Sequence, residues 1–287
     1  MKTFAPIDQK AIGHFIREGY VVYRGVHDRR LIRSCAGHLQ RQFDILYDLS
    51  CSGEFERDVN GWAISIMDAF ARTSMYDAIV TARPLVDLLK PFLGPDIALL
   101  GYDALWINVP QDKDPVLLKG QHTDAWTGTS VNTIFAKTFF TPCDEYNGMS
   151  VCPRSHLQGM IPVRNRGIDP APGVTFDSVN LSDVRAGDLL IWHPLLIHST
   201  TGHSDKNTRI SMTSRYTSTE SAFSSQERAL GYRTVNVGPL NQILRLIGND
   251  YLTPFRTEGG YVGIDRRMAA IYEHSDYKVR KDYGRYL

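Results

Sequence analysis

The sequence changes in character near residue 97, and this change constrains the fold more than any other feature. Before it, apolar residues recur at helical spacing over Pro6–Glu18, Asp28–Leu49 and Ser74–Leu93. After it, short segments rich in β-branched and aromatic residues are separated by Gly, Pro, Asn and Asp. Many short strands behind a helical start predict a mainly β fold with flanking helices, either a β-barrel or a double-sheet jelly roll.

Individual residues predict where helices and strands begin and end, and how the chain is divided. Tyr20–Tyr23 is typical of a short strand, Asp28 of a helix N-cap, and Pro84 of a break that divides Ser74–Leu93 into two helices. We predict a single domain over 1–287, with a mostly helical part at 1–96 and a jelly-roll core at 97–220. Residues 221–287, with helical character at Asn241–Ile247, form a C-terminal extension that serves as a lid or a subunit contact.

Composition excludes several classes of protein. With 43% hydrophobic residues, 22% charged residues and a net charge of +1, the chain is typical of a soluble globular protein. Nothing in this balance indicates a nucleic-acid or membrane partner, and no run approaches the roughly 18 apolar residues of a membrane span. We therefore expect a cytoplasmic protein with reduced cysteines, either a monomer or a homo-oligomer.

The first indication of a metal-binding site is the pair His122 and Asp124, which are two residues apart. On a strand such residues point to the same side, so an imidazole and a carboxylate could share one metal ion. A second histidine would complete the 2-His-1-carboxylate set of non-haem Fe(II) oxygenases. Alone this motif is weak, because roughly every second chain of this composition would contain one by chance, and His122 taken by itself is more readily an ordinary hydrogen-bonded histidine.

Two further signals follow in order. A strand is predicted from the turn at Gly187 and Asp188 towards His198. Arg209 stands eleven residues beyond His198. On the next strand, its planar guanidinium could bind the distal carboxylate of a 2-oxo acid through two parallel hydrogen bonds. The three signals together favour a metal centre with an organic-acid co-substrate.

The residues around these signals resemble the phytanoyl-CoA dioxygenase family. The stretch 147–156, NGMSVCPRSH, resembles the family's N-G-x-x-x-x-P-G-S-H, and 15–26, FIREGYVVYRGV, resembles its entry segment. The resemblance covers about residues 7 to 217. It implies a double-stranded β-helix, which is a jelly-roll or cupin-like barrel with helices packed outside.

The resemblance also implies roles for individual residues. His122, Asp124 and His198 would hold Fe(II), Arg209 would bind 2-oxoglutarate, and the hydroxyl of Thr200 would assist it. O2 would complete the reaction, which hydroxylates a substrate carbon and releases succinate and CO2. A halogenating relative would have Gly or Ala in place of Asp124, so the carboxylate favours hydroxylation or a related oxidation.

Other residues are candidates for the pocket. Asn108 could face 2-oxoglutarate or substrate, and four aromatic side chains could form the wall or equally belong to the core: Tyr102, Trp106, Trp126 and Trp192. Trp126 and Trp106 are the favoured substrate contacts. Arg154 replaces the family's usual Gly and could direct a cation into the pocket, or lie with Arg164 and Arg166 on a solvated loop. His193 is read as a pocket-wall or core histidine and His156 as structural.

The predicted function is thus hydroxylation of an unactivated carbon in a small metabolite of natural-product, sugar or organic-acid type. Two alternatives remain. One is a jelly-roll metal enzyme that does not use 2-oxoglutarate, for which Arg209 would be irrelevant. The other is a non-catalytic binding module that keeps the barrel without iron.

Overall fold

The computed structural model describes residues 3–4, 9–53, 58–101, 103–109, 120–125, 128–144, 148–164, 167–200, 208–224, 227 and 231–246. Six α-helices lie within these ranges: α1 (Gln9–Glu18), α2 (Arg29–Cys51), α3 (Val59–Phe70), α4 (Ser74–Val80), α5 (Arg83–Leu93) and α6 (Pro239–Leu246). No helix among the described residues is long and apolar enough to cross a membrane.

Most helix boundaries follow local signals. α4 and α5 are separate helices, as predicted, and Pro84 lies in the first turn of α5, where its missing N–H costs nothing. The helix predicted at Asn241–Ile247 corresponds to α6. Helix α3 was not predicted from the sequence, although Val59, Trp62, Ala63 and further buried residues follow helical spacing along it.

The N-cap of α2 gives a testable contribution to stability. The Asp28 carboxylate accepts hydrogen bonds from the backbone N–H groups of Arg30 and Leu31, both at 2.9 Å. We expect Asp28→Ala to lower the free energy of unfolding by about 1 kcal/mol, because two N–H groups of the first turn lose their acceptor. Urea denaturation would measure this loss. Asp28→Asn keeps an acceptor and should be close to wild type, so an equal loss in both variants would contradict the capping role.

Thirteen strands are present in the described residues: β1 (Thr3–Phe4), β2 (Tyr20–Tyr23), β3 (Ile97–Leu100), β4 (Ala104–Asn108), β5 (Thr133–Phe139), β6 (Met149–Val151), β7 (Val163–Arg164), β8 (Gly167–Ile168), β9 (Val179–Asn180), β10 (Leu189–Trp192), β11 (His198–Thr200), β12 (Arg209–Ser218) and β13 (Tyr232–Asn236). The larger sheet has the order β1-β2-β10-β5-β12-β3-β13, with β4 also paired to β12. The smaller sheet has the order β11-β6-β9, and β7 and β8 form a separate pair.

This architecture confirms the predicted class, a mainly β jelly roll with flanking helices. Within the described residues, the strands form two main sheets and the separate β7–β8 pair rather than a closed barrel; isolated bridges such as His122 to His198 add to the pairing. Segments from both ends of the chain join the larger sheet, since β2 pairs with β10 and β13 pairs with β3.

Alternation along the strands separates two faces of the larger sheet. Val21, Tyr23, Leu189 and Ile191 belong to the hydrophobic core that the helices cover. The residues between them, among them Val22 and Trp192, pack instead in a second core with Met149 and Val151 of the smaller sheet. The space between the two sheets is therefore bounded by one face of each.

Where β4, β5 and β12 run side by side, this inner face becomes polar. Leu105, Ile107, Ile210 and Met212 point to the helical core. The alternate positions carry polar or charged groups and a tryptophan: Trp106, Asn108, Lys137, Arg209, Ser211, Thr213 and Arg215. Burial of such groups costs free energy unless they have partners, so their concentration here indicates a site rather than a packing core.

Candidate metal centre

Two imidazoles and one carboxylate converge at one end of the inner face. His122, Asp124 and His198 each offer one ligand atom, and the three atoms all lie within 4.8 Å of one another. The Nε2 atom of His198 is 3.5 Å from Oδ2 of Asp124, and the two imidazole ring centres are 4.2 Å apart. Both histidines are buried.

The backbone around His122 differs from the prediction. The segment 120–125 is not a strand: His122 alone forms a bridge, exchanging two 3.0 Å backbone hydrogen bonds with His198. The N–H groups of Asp124 and Ala125 both donate to the carbonyl of Pro194. The turn that contains Pro194, and not the alternation of a strand, therefore positions the carboxylate of Asp124.

The predicted strand towards His198 was also wrong in extent. β10 ends at Trp192, and a turn at His193–Ile197 leads to β11 in the smaller sheet. Pro194 has no N–H to donate to a sheet ladder, so the chain can leave the larger sheet there. This crossing brings His198 next to His122.

Hydrogen bonds fix which nitrogen of each imidazole can bind a metal. Nδ1 of His122 is 2.8 Å from the carbonyl of Gly120, and Nδ1 of His198 is 3.0 Å from the carbonyl of Leu196. A carbonyl oxygen can only accept, so both Nδ1 atoms must donate. The proton-free lone pair then lies on Nε2 in both rings, which is the form that ligates metals.

Asp124 is held in its ionised form. Burial acts to raise its pKa, but the charges that His198 and His122 carry when protonated, together with the indole N–H of Trp192, outweigh burial and keep the pKa below its usual value. Nε1 of Trp192 donates to Oδ2 of Asp124 at 2.9 Å. The carboxylate is thus oriented and ready to bind a cation.

We expect Trp192→Phe to weaken metal binding roughly 10- to 100-fold, the usual cost of losing a partner of a metal ligand. Phe keeps the ring beside Phe135, which stacks on Trp192 at 5.3 Å, but removes the N–H. Anaerobic competition titration with Fe(II) and a chromophoric chelator would measure the change. Trp62→Phe, in the helical core, is the matched control, and equal affinities in the two variants would contradict the orienting role.

Arg209 begins β12, directly opposite Asn108 at the end of β4. Its guanidinium is buried and donates to the carbonyl of Gly148 at 2.5 Å and to the amide oxygen of Asn108 at 2.6 Å. Burial lowers the pKa of Arg209, against the opposing effect of Cys143. Both of these acceptors are neutral, so a carboxylate would be a stronger partner for the same donors.

A cavity of about 530 Å³ adjoins the three candidate ligands. Three other predicted residues line it: Asn108, Thr200 and Trp106. Trp192, predicted as a wall residue, also lines it, whereas Trp126 and Tyr102 lie outside the described residues.

The remaining predicted residues are placed away from this cavity. Arg154 is exposed, is not among the lining residues and donates its N–H to the carbonyl of Glu18, so its substrate role stays a prediction without support from this position. Its φ of 69° is in the left-handed region, which glycine adopts more readily than other residues. Arg164 is exposed and paired with Asp169, and Arg166 is outside the described residues. His156 contacts the carbonyl of Ile16, and His193 is likewise absent from the lining.

The cavity has further lining residues that the sequence analysis missed. They include Lys137, Arg215, Tyr76 and Asp103, together with residues of α3. One signal was available: Lys137 interrupts an otherwise apolar strand, TIFAKTF. A lysine at a buried strand position is rare unless it has a partner or a function.

A jelly roll with two imidazoles and a carboxylate beside a cavity is the arrangement found in 2-His-1-carboxylate metalloproteins. The sequence model of the phytanoyl-CoA dioxygenase (PhyH) family matches residues 15–211. The chain belongs to this family.

Solved structures show the same fold. The epimerase SnoN, in complex with Fe3+, alpha ketoglutarate and nogalamycin RO, is 19% identical, with 90% of this chain and 96% of that chain covered and a TM-score of 0.57. The non-heme monooxygenase ThoJ in its apo form is 16% identical, with 92% and 99% covered and a TM-score of 0.58. EctD from S. alaskensis with bound Fe is 15% identical, with 76% and 79% covered and a TM-score of 0.54. No curated protein sequence matches the chain.

Proposed function

We propose that this protein is an Fe(II)- and 2-oxoglutarate-dependent oxygenase that hydroxylates a small metabolite. The observation that carries the proposal is the convergence of one ligand atom each from His122, His198 and Asp124 within 4.8 Å at the wall of a cavity. Two imidazoles and a carboxylate suit Fe(II), and a set of only three ligands leaves positions for a co-substrate and O2. SnoN, a protein of the same fold, holds Fe3+ and alpha ketoglutarate.

The chain offers a place for each end of 2-oxoglutarate. Along β11, His198 and Thr200 point to the same side, and Thr200 pairs with Met149, next to Gly148. Gly148 is the residue whose carbonyl accepts from Arg209. One molecule of 2-oxoglutarate would therefore lie along β11. Its 2-oxo acid group would chelate the metal, its distal carboxylate would bind Arg209, and Thr200 would lie between the two ends.

When bound, Fe(II) and 2-oxoglutarate would supply the electrons that activate O2 for oxidation of the substrate, with release of succinate and CO2. The protein supplies orientation and a dry site. Trp192 holds Asp124, the carbonyls of Gly120 and Leu196 hold the imidazoles, and the aromatic walls limit access of water.

An anaerobic titration tests the metal and the co-substrate together. Metal-free protein receives Fe(II) and then 2-oxoglutarate while the visible metal-to-ligand charge-transfer band is followed. We expect a band only when both are present. Iron binding without a band would favour the metal enzyme that does not use 2-oxoglutarate, and failure to bind iron would favour the binding module.

Hydroxylation is the outcome that we propose among the oxidations this centre can perform. The retained Asp124 favours hydroxylation over halogenation, since its carboxylate occupies the ligand position that a halide would take. Once a substrate is known, turnover under isotopically labelled O2 would test it: a hydroxylated product carries one labelled oxygen, whereas an epimerised or cyclised product carries none. The cytoplasmic location, the small-molecule partner and the oligomeric state remain predictions.

A further inference from the structure

The cavity that adjoins the metal centre continues around the edge of β4. All five residues of this strand, Ala104–Asn108, line the cavity. Side chains on a strand alternate between its two faces, and Leu105 and Ile107 belong to the helical core on the outer face. One cavity can meet residues of both faces only where it passes the edge of the strand. Four steps of strand rise give it a length of at least roughly 13 Å along β4.

The pairing of the strands explains why this edge is accessible. β3 and β4 follow one another on the same side of β12, and β13 extends the sheet beyond β3. Within the described part of the chain, β12 is the only strand that pairs with β4, and helix α3 packs beside β4. The outer part of the cavity is therefore bounded by β4 on one side and by α3 on the other.

One side of α3 lines this outer part. The lining residues are three or four positions apart, which places them on one face of the helix: Asn60, Ala63, Ile64, Met67, Asp68 and the C-cap residue Ala71. The two polar residues of this set are exposed. The four apolar residues and two residues of β4 form what we call the α3 mouth: Ala63, Ile64, Met67, Ala71, Leu105 and Ile107.

Ile64 is the most exposed apolar side chain of the α3 mouth, at 61%, whereas Ala63 and Met67 are buried. An exposed isoleucine does not by itself indicate a site. Ile16 on α1 and Ile45 on α2 are exposed to a similar extent, at 63% and 55%, and neither lines the cavity. Ile64 differs because it borders the cavity that contains the candidate metal ligands. An apolar group that covers it there would gain free energy by leaving water.

The inner part of the same cavity has a different character. It contains the three candidate metal ligands, and Asn108 and Thr200 add polar groups to its wall. A volume of about 530 Å³ is within the range of small-molecule sites. A ligand that fills both parts therefore needs an apolar group at the α3 mouth and its reacting carbon near the metal.

We propose that the α3 mouth binds an apolar group of the substrate, a hydrocarbon ring or chain, and that the substrate is an amphipathic molecule rather than a free sugar or a small organic acid. This inference rests on the proposed function for the role of the ligand as substrate. Ile64 and Met67 are then specificity determinants, and neither is placed in contact with the metal. Met67 suits this role because its unbranched side chain adapts to ligands of different shape.

An uncharged apolar dye tests the proposal although the substrate is unidentified. N-phenyl-1-naphthylamine fluoresces more strongly in apolar surroundings and is titrated into the full-length protein without added metal. We expect saturable binding. Octan-1-ol should displace the dye, and glucose at the same concentration should not, because only the alcohol with a hydrocarbon chain gains from apolar contact.

Variants assign the binding to the α3 mouth. Ile64→Ser should weaken dye binding about fivefold, because part of the apolar surface that the dye covers is removed. Ile64→Leu keeps that surface and should bind as the wild type does. Ile45→Ser is the matched control at an exposed helical position outside the cavity. Serine and isoleucine have similar helix propensities, so neither serine variant should lose the fold.

Protection from alkylation locates the dye. Ile64→Cys and Ile45→Cys each introduce a thiol at an exposed position, and peptide mass spectrometry separates it from the exposed Cys51. Saturating dye should slow the reaction of iodoacetamide with the new thiol of Ile64→Cys and leave that of Ile45→Cys unchanged.

The proposal is overturned if the dye does not bind saturably, if glucose displaces it as well as octan-1-ol does, or if Ile64→Ser binds it as the wild type does. It is also overturned if Ile45→Ser loses as much as Ile64→Ser, or if the dye does not protect Ile64→Cys. The charge-transfer band is measured separately. Its absence alongside Ile64-dependent dye binding would reject the oxygenase function and retain the apolar site, whereas a band without dye binding would retain the oxygenase and reject the site.

Discussion

We expect His198→Ala to abolish the absorption band that Fe(II) and 2-oxoglutarate produce together. His198 supplies one of three candidate ligand atoms, and Ala has no side chain that could replace the imidazole. Loss of a ligand should cost more than the roughly 10- to 100-fold expected for loss of a ligand's partner. Iron affinity by anaerobic competition titration and the visible spectrum measure the effect.

His38→Ala is the matched control, since His38 lies on α2 near Phe70 and outside the cavity. It should leave both iron affinity and the band unchanged. A band of wild-type intensity in His198→Ala would remove this residue from the ligand set. Unfolding in urea should be followed for both variants, because the backbone of His198 pairs with His122 and must remain in place.

A second large effect is expected at Arg209. Arg209→Gln should raise the 2-oxoglutarate concentration needed for half-saturation by about 30-fold or more, since loss of one partner of a buried charge pair costs roughly 2–5 kcal/mol. Gln can still donate to Asn108 or Gly148 but has no charge. Titration of the absorption band with 2-oxoglutarate gives the value directly, and iron affinity should not change.

Arg209→Lys separates charge from shape. Lys keeps the positive charge but lacks the planar fork, so we expect a half-saturation value between those of the wild type and Arg209→Gln. Arg164→Gln, at an exposed arginine paired with Asp169, should have no effect. An unchanged value in Arg209→Gln would place the distal carboxylate away from Arg209, which is not itself among the residues that line the cavity.

The elements predicted well are those with strong local signals. The Asp28 carboxylate caps α2 whatever the rest of the chain does, and Pro84 separates α4 from α5 because its ring excludes a continuous helix. The strand at Tyr20–Tyr23 was predicted from its residues alone. Its place beside β10, near one edge of the larger sheet, was not, because strand pairing joins segments that are distant in sequence.

In the metal centre, too, some features were predicted from local sequence and others depend on residues that are distant in sequence. The sequence supplied the residue types and their order, and the structure brings the ligand atoms of all three together. The expected mechanism, alternation on a strand, was wrong for Asp124. Its position depends on the Pro194 carbonyl, which lies 70 residues further along the chain. A local pattern contains no information about that partner.

What the sequence determined by itself was the class of the protein: helices before strands, two histidines and a carboxylate in a recognisable order, and Arg209 at its spacing. The helices and strands follow from residue type and short-range periodicity, which act within a few residues. The ligand set and Arg209 follow from the resemblance to the family's motifs. The tertiary structure decided which face of each strand meets the cavity. Lys137 and Arg215 became neighbours only through the register of β5 on β12, and Trp192 became the partner of Asp124 only through the turn after β10. Register and crossover are set by the packing of the whole core, so they could be read only from the folded chain.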